Sequence, residues 1–382
     1  MKQHFSYSDA WLEQHNASHT IREICHQPRL WRELWQSLAN NQQCQDFLEP
    51  LLADPQLHII LTGAGSSAFV GKALAPWLRE KTGKDVQAYA TTDIVATPLA
   101  FLSPKKKTLL VSFARSGNSP ESVAAVQLAE QCVENCYHLM ITCNPKGELA
   151  HYAEGKDHVY SLIMPEGSND QSFAMTSSFS CMMLATILVL GFVKRETKAD
   201  LEQMVTVCEQ GLIDWQEQIK LLAQQGFKRI LYIGSHCFTG LTEEAALKML
   251  ELTAGKITTR FDSSLGLRHG PKFMVDGSAL VVCLLSNDTY IRQYDIDLLN
   301  EIRRDGLAKQ VMSLSGSACT EPHSLHVNSP QDDIWLLFPY LVFAQMLATE
   351  CSLALALTPD NPCPTGEVNR VVKGVTIYPF SK

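Results

Sequence analysis

The chain has 382 residues, 46% hydrophobic and 19% charged, with a net charge of −8. That is an ordinary globular composition, long enough for roughly two to three domains. The acidic balance carries no basic stripe, which argues against a nucleic-acid partner. Twelve cysteines are scattered without paired spacing, and Met1 to Gln14 is polar with no signal-peptide core. Both features fit the reducing cytoplasm.

The first 50 or so residues read as helices. SYSDAWLEQHNASHTIREICHQ forms the first segment and PRLWRELWQSLANNQQCQDFLEPLL the second, with Pro28 suited to a helix start. From about Leu57 short apolar strands alternate with helices. LHIILT leads through GAGSSAFVGK into a helix, VQAYA is a second strand, and TLLVSF leads through ARSGNSPES into VAAVQLAEQCVEN. YHLMITC and HVYSLIM follow, then an apolar run, Phe179 to Val193. That run is shorter than the ~20 residues a membrane span needs and reads as a buried core helix. CVENC (Cys132, Cys136) has no partner pair for a zinc site.

The pattern then recurs at an offset of about 170 residues. KRILYIGSHCFTG echoes LHIILTGAGSSAFVG, ALVVCLLS echoes TLLVSF, and KQVMSLSG echoes YHLMITC. SLHVNS echoes HVYSLIM, and WLLFPYLVFAQMLATECSLAL closes the copy. One α/β unit is used twice, each with near-continuous apolar strands that imply a parallel sheet covered on both faces. Domain expectations follow: a helical extension over 1–50, a first α/β domain over 51–200, a second over 215–360 and a tail over 361–382.

The glycine turn Gly63 to Lys72 has three candidate ligands: a nucleoside triphosphate, a dinucleotide or a sugar phosphate. A Walker loop fails, because Ser66 stands where its first glycine belongs and Ala73 where its hydroxyl residue belongs. GAGSSA matches the dinucleotide pattern, and Asp93 lies further on, but a lone match is weak. The second loop decides. ARSGNSPES crowds Ser116, Asn118, Ser119 and Ser122 around Gly117 between a strand and a helix. Two such loops make a cup of N–H and O–H donors suited to one phosphate monoester. Two ordinary helix caps would read the same way.

GAGSS with SFARSGNSPES resembles the sugar isomerase (SIS) domain, the phosphosugar-binding fold. Two copies resemble the isomerase half of glucosamine-6-phosphate synthase. ALKMLELTAGK, FDSSLGLRHGPK, RQYDIDLL and VNRVVKGVTI are closer to the AgaS-type proteins of galactosamine catabolism. The resemblance spans about Cys25 to Phe380 and implies two tandem SIS domains, each a flavodoxin-like parallel sheet flanked by helices. It also implies the site. Ser66, Ser67, Ser116 and Ser119 match phosphate contacts, with Arg115 and Asn118 in the same loop. Ala114 departs from the synthase, which has serine there, and Arg115 replaces its glutamine. Arg115 either adds charge to the phosphate or lies on the surface.

Glu251 aligns with the synthase's proton-shuttling glutamate. It stands three residues after Lys248, so the two share a helix face, where an ordinary solvated ion pair would look the same. His269 in RHGPK aligns with the ring-opening histidine, which in the relatives reaches the neighbouring subunit's site and implies a homodimer. Lys373 aligns with a C-terminal lysine folded over the sugar, with Asn369 and Arg370 beside it. Thr176 and Ser177 fall where the fold contacts sugar hydroxyls. Lys2 stands where the synthase opens a glutamine-hydrolysing domain with cysteine, so the expected direction is release of ammonia, or no ammonia at all. The expected activity converts galactosamine 6-phosphate and water to tagatose 6-phosphate and ammonia, with no metal and no redox cofactor. The alternatives are a non-deaminating tagatose-6-phosphate ketose/aldose isomerase and a phosphosugar-binding regulator. No membrane partner is expected.

Overall fold

The computed structural model describes residues 5–191, 197–329, 332–372 and 374–381. The chain opens with α1 (Asp9–Gln14), α2 (Ser18–Ala39) and α3 (Gln42–Leu52). There follow β1 (His58–Gly63), α4 (Ser66–Thr82), β2 (Asp85–Ala90), α5 (Thr91–Ala96), α6 (Pro98–Phe101) and β3 (Thr108–Ala114). Next come α7 (Pro120–Cys132), β4 (Cys136–Thr142), α8 (Glu148–His151), β5 (Val159–Ile163) and α9 (Ser177–Leu190). The second series is α10 (Thr197–Asp214), α11 (Gln216–Ala223), β6 (Arg229–Gly234), α12 (Phe238–Leu252) and β7 (Thr258–Asp262). It ends with β8 (Ala279–Leu285), α13 (Thr289–Asp305), β9 (Gln310–Ser315), β10 (Ser324–His326) and α14 (Asp333–Ala354).

All strand pairs are parallel, in two five-stranded sheets ordered β2-β1-β3-β4-β5 and β10-β9-β8-β6-β7. Counted within each copy, both orders are 2-1-3-4-5, the flavodoxin-like arrangement. Every residue of β1, β3 and β8 is buried, as their unbroken apolar runs require of strands covered on both faces. One compact unit carries the first sheet and comprises Arg29–Asp170, Ser177–Val193 and Gly366–Lys382. The other carries the second sheet and comprises Met1–Pro28, Gln171–Thr176 and Lys194–Thr365. Residues 179–190 of that apolar run lie in α9, a helix buried on nearly all sides; residues 192 and 193 of it lie outside the described residues. Among the described residues one helix, α14, is long and apolar enough to cross a membrane, and its apolar window is wholly buried.

Two local readings are corrected. Pro28 does not start a helix: it lies inside α2. A proline there removes the N–H that would bond to the carbonyl four residues back. Gln27 compensates, its Nε2 donating to that Ile24 carbonyl at 3.0 Å and to Gln345 Oε1 at 2.8 Å. The strand β7, TTRFD, had no apolar signature. It is a half-exposed edge strand, made a strand by pairing with β6.

A buried carboxyl in α14 sets a pH dependence. Burial pushes the Glu350 carboxyl up to about 7, with Glu217 adding to the rise and Lys220 and the Tyr7 hydroxyl opposing it. Tyr7 Oη donates to Glu350 Oε2 at 3.0 Å. The folded state therefore holds a proton that the unfolded chain loses near pH 4.5, so stability is full below that pH and declines until about pH 7. Glu350→Gln is expected to leave the melting temperature unchanged near pH 4.5 and to raise it at pH 8. The gain is at most about 3 kcal/mol at 1.36 kcal/mol per pKa unit. Melting curves of both proteins across this range check it; equal curves at pH 8 contradict it.

Candidate active site

In flavodoxin-like sheets ligands bind beyond the carboxyl ends of the strands, where the strand order reverses. In the first sheet that point lies between β1 and β3. The two loops that leave it are the glycine turn before α4 and the serine loop before α7.

The first turn is forced by packing. A Cβ on Gly63 would lie 2.6 Å from the Ser67 backbone carbon, so only glycine lets α4 start this close to β1. Gly65 takes the cap position with φ 56°, and no side chain caps α4. An uncapped helix start presents N–H groups to an anion. Ser66 and Ser67 lie buried in its first turn. Across the switch point, Gly117 turns the second loop at φ 69°. Ser119 caps α7, its Oγ donating to Ser122 Oγ at 2.6 Å and accepting from the Ser122 N–H. The loop is braced from the β4–α8 side. Asn144 Nδ2 donates to the Ser116 carbonyl at 2.8 Å, and Asn118 Oδ1 accepts from the Glu148 N–H at 2.9 Å.

Arg115 is 7% exposed, which removes the reading of it as a surface residue. Its guanidinium donates to the Arg370 carbonyl at 2.6 Å. Arg370 in turn donates from Nε to the Asp170 carbonyl at 3.0 Å and from a terminal nitrogen to Asn169 Oδ1 at 3.2 Å. Thr176 and Ser177 are fully buried. The Ser177 N–H donates to Asp170 Oδ1 at 3.0 Å and the Ser178 N–H to Oδ2 at 2.9 Å, with both hydroxyls on the same carboxylate. Lys373 lies outside the described residues. An apolar groove of about 710 Å³ in this unit is lined by Trp35, Leu38, Cys44 and Leu48, among others, and its lining includes no serine-loop residue.

In the unit of the second sheet, one face of α12 presents three charged residues. Lys248 is 1% exposed and hydrogen-bonded to Glu251. Its Nζ also lies 3.6 Å from Glu244 Oε1, and the side chains of Glu244 and Glu251 are 0% and 23% exposed. A lysine that hydrogen-bonds the outer carboxylate fixes its position at the surface, where it can exchange protons. His269 is exposed and follows a 3₁₀ turn, Gly266–Arg268. Ion pairs tie this turn to α13: Arg268 to Asp297 and Glu301 at 2.7 Å each, and Lys272 to Asp305 at 2.5 Å and to Glu301.

Sequence reasoning missed Asp170 and Glu244. Glu244 could have been found, being four residues before Lys248 on the same face. Asp170 carries no local signal, since its partners follow it by seven residues and by two hundred. Among the described residues, His236, Cys237 and Asp333 bring metal-type donor atoms within 4.8 Å of one another. The Asp333 carboxylate is already an acceptor for the Ser286 hydroxyl and, at 2.7 Å, the Asn287 N–H. Cys132 and Cys136 of CVENC are buried.

The parallel sheet with its two serine-bearing loops at the switch point falls within residues 51–190, which match the family described as the SIS domain. Over 97% of its length the chain is 45% identical to the D-galactosamine-6-phosphate deaminase AgaS of Shewanella sp. (strain ANA-3), covering 94% of that protein. The chain belongs to the AgaS family. A solved protein of Clostridium novyi shares 43% identity and a TM-score of 0.95, with 100% of both chains covered. A solved tagatose-6-phosphate ketose/aldose isomerase from Escherichia coli shares 41% identity and a TM-score of 0.87, with 95% of this chain and 97% of that one covered.

Proposed function

We propose that the protein is a deaminating isomerase that converts D-galactosamine 6-phosphate and water to D-tagatose 6-phosphate and ammonia. The observation that carries this reading is the near-full-length 45% identity to a relative named for that substrate. The pairing of Lys248 with Glu251 on α12 supports it, because aldose–ketose chemistry needs a carboxylate base beside a cation.

In this proposal 51–200 is the phosphate-binding domain, 215–360 the catalytic domain, 1–50 a helical extension and 361–382 a tail over the sugar. Ser66, Ser67, Ser116, Asn118 and Ser119 hold the phosphate through N–H and O–H groups, and Arg115 adds positive charge beside them. Thr176 and Ser177 lie toward the sugar. His269 carries a proton between O5 and O1 and opens the ring. Glu251 then takes the C2 proton, giving an enolamine. Protonation at C1 leaves a C2 imine, and water adds to C2 and expels ammonia. Lys248 and Lys373 orient the open chain and offset negative charge developing at O1. Consumption of water in the net reaction makes the step hydrolytic. It would serve N-acetylgalactosamine catabolism in the cytoplasm. A homodimer is part of the proposal: Leu265 and Phe273, 50% and 94% exposed, flank His269 and suit a covering partner.

The test is ammonia release from galactosamine 6-phosphate and glucosamine 6-phosphate side by side, followed by tagatose 6-phosphate turnover. Release from the galacto sugar alone is the expected result. No ammonia from either, with tagatose 6-phosphate still isomerised, overturns deamination in favour of the simple isomerase.

A further inference from the structure

Outside the groups assigned to chemistry, the first unit holds a buried network that joins three separate stretches of chain. Its hub is Asp170, fully buried. The Asp170 carboxylate takes the N–H and hydroxyl of both Ser177 and Ser178, closing the start of α9. Its backbone carbonyl takes the Arg370 guanidinium, which also reaches Asn169 Oδ1. The carbonyl of Arg370 then takes Arg115. Arg115 and Asp170 also act on the buried Cys143 thiol in opposite directions, Asp170 raising its proton affinity and Arg115 lowering it. The two opposite charges therefore share one desolvated neighbourhood. Further along, the tail is held again, the Phe380 carbonyl accepting from Gln131 Nε2 at 2.9 Å and its ring packing on the core beside α7.

A buried guanidinium needs hydrogen-bond acceptors, and its geometry follows theirs. Arg115 is the residue immediately before Ser116. One of its acceptors is a backbone carbonyl supplied by residue 370 and held in place by that residue's own side chain. Removing the Arg370 side chain removes what fixes that carbonyl, and the loop before Ser116 loses a fixed point.

We propose that Arg370 is a positioning residue for the phosphate cup: by tying the C-terminal segment to Asp170 it presents the carbonyl that holds Arg115, and so sets the placement of the Ser116–Ser119 loop. This rests on the reading of those serines as phosphate ligands. Arg370 itself touches no reacting atom. Its loss weakens binding of the phosphate group and leaves proton transfer at C1 and C2 alone, so the penalty falls on KM. Lysine does not replace it, since an ammonium cannot reproduce the planar fork that meets the Asp170 carbonyl and Asn169 together.

The experiment uses full-length wild type, Arg370→Ala and Arg370→Lys. It measures calorimetric binding of galactosamine 6-phosphate and of inorganic phosphate, then KM and kcat, with a melting curve for each protein. Expected are a rise of about tenfold or more in Kd and KM for both variants, kcat within about threefold of wild type, and melting curves that remain cooperative. The tenfold figure is the loss of one charge-assisted hydrogen bond's worth of positioning. Unchanged Kd and KM in both variants overturn the proposal. So does a loss confined to kcat, which places the tail's role in the chemistry. If Arg370→Ala does not fold, Arg370→Lys decides alone. The outcomes separate from those of the proposed activity: wild type that binds phosphosugar without turnover, with weakened binding in the variants, sinks the activity and sustains the latch. Wild type that binds neither phosphate nor phosphosugar overturns the latch as well.

Discussion

Glu251→Gln is expected to bind galactosamine 6-phosphate with near wild-type affinity and to lose turnover by about 10²–10⁴-fold, the usual contribution of a positioned general base. The amide keeps the shape and a hydrogen-bond acceptor for Lys248 Nζ, which now donates to the carboxylate. It cannot accept a proton from C2. The side chain is 23% exposed at the outer end of a buried pair, so its loss of charge costs the fold little. The same variant tests subunit sharing. If His269 completes the partner's site, mixing Glu251→Gln with His269→Ala protein restores one intact site in each mixed dimer. Random pairing of two protomers then returns up to about a quarter of wild-type activity. Turnover by Glu251→Gln near the wild-type rate removes it as the base. Two variants that stay silent when mixed place His269 in its own chain's site.

Lys248→Met is expected to lower stability by about 3–5 kcal/mol, the usual cost of removing one partner from a buried ion pair. Lys248 bridges both Glu244 and Glu251, and the Glu244 carboxylate is wholly buried 3.6 Å from its Nζ. Methionine fills the same volume and removes the cation from beside that buried carboxylate. The double variant Glu244→Gln, Lys248→Met is expected to recover most of the loss, because the buried negative charge is then removed together with the cation. Urea unfolding of the three proteins measures this. A single variant as stable as wild type shows that Glu244 does not depend on Lys248 for its charge.

The sequence by itself determined the architecture and the loops. Strand period, apolar runs and turn residues are local properties. They located nine of the ten strands among the described residues, the repeat between the two copies, and the positions of Ser66, Ser67, Ser116 and Ser119 in the loops and turns that open α4 and α7. The tenth, β7, escaped because TTRFD pairs with β6 at an exposed edge, and an edge strand needs no apolar alternation. Pro28 misled for a related reason: a proline is tolerated mid-helix when a neighbour supplies the missing donor, and Gln27 does so.

Only the tertiary structure decided which polar residues are buried and against what. Lys248 and Glu251 were legible as a pair, yet nothing in their spacing distinguishes a solvated pair from one held against a buried Glu244. Arg115 could be read as a phosphate ligand or a surface charge; the fold buries it and bonds it to a carbonyl 255 residues away, which removes the surface reading. Asp170 left no trace in its own neighbourhood. The energy of a buried charge is set by desolvation and by partners that only the closed chain brings within reach, so no local pattern encodes it.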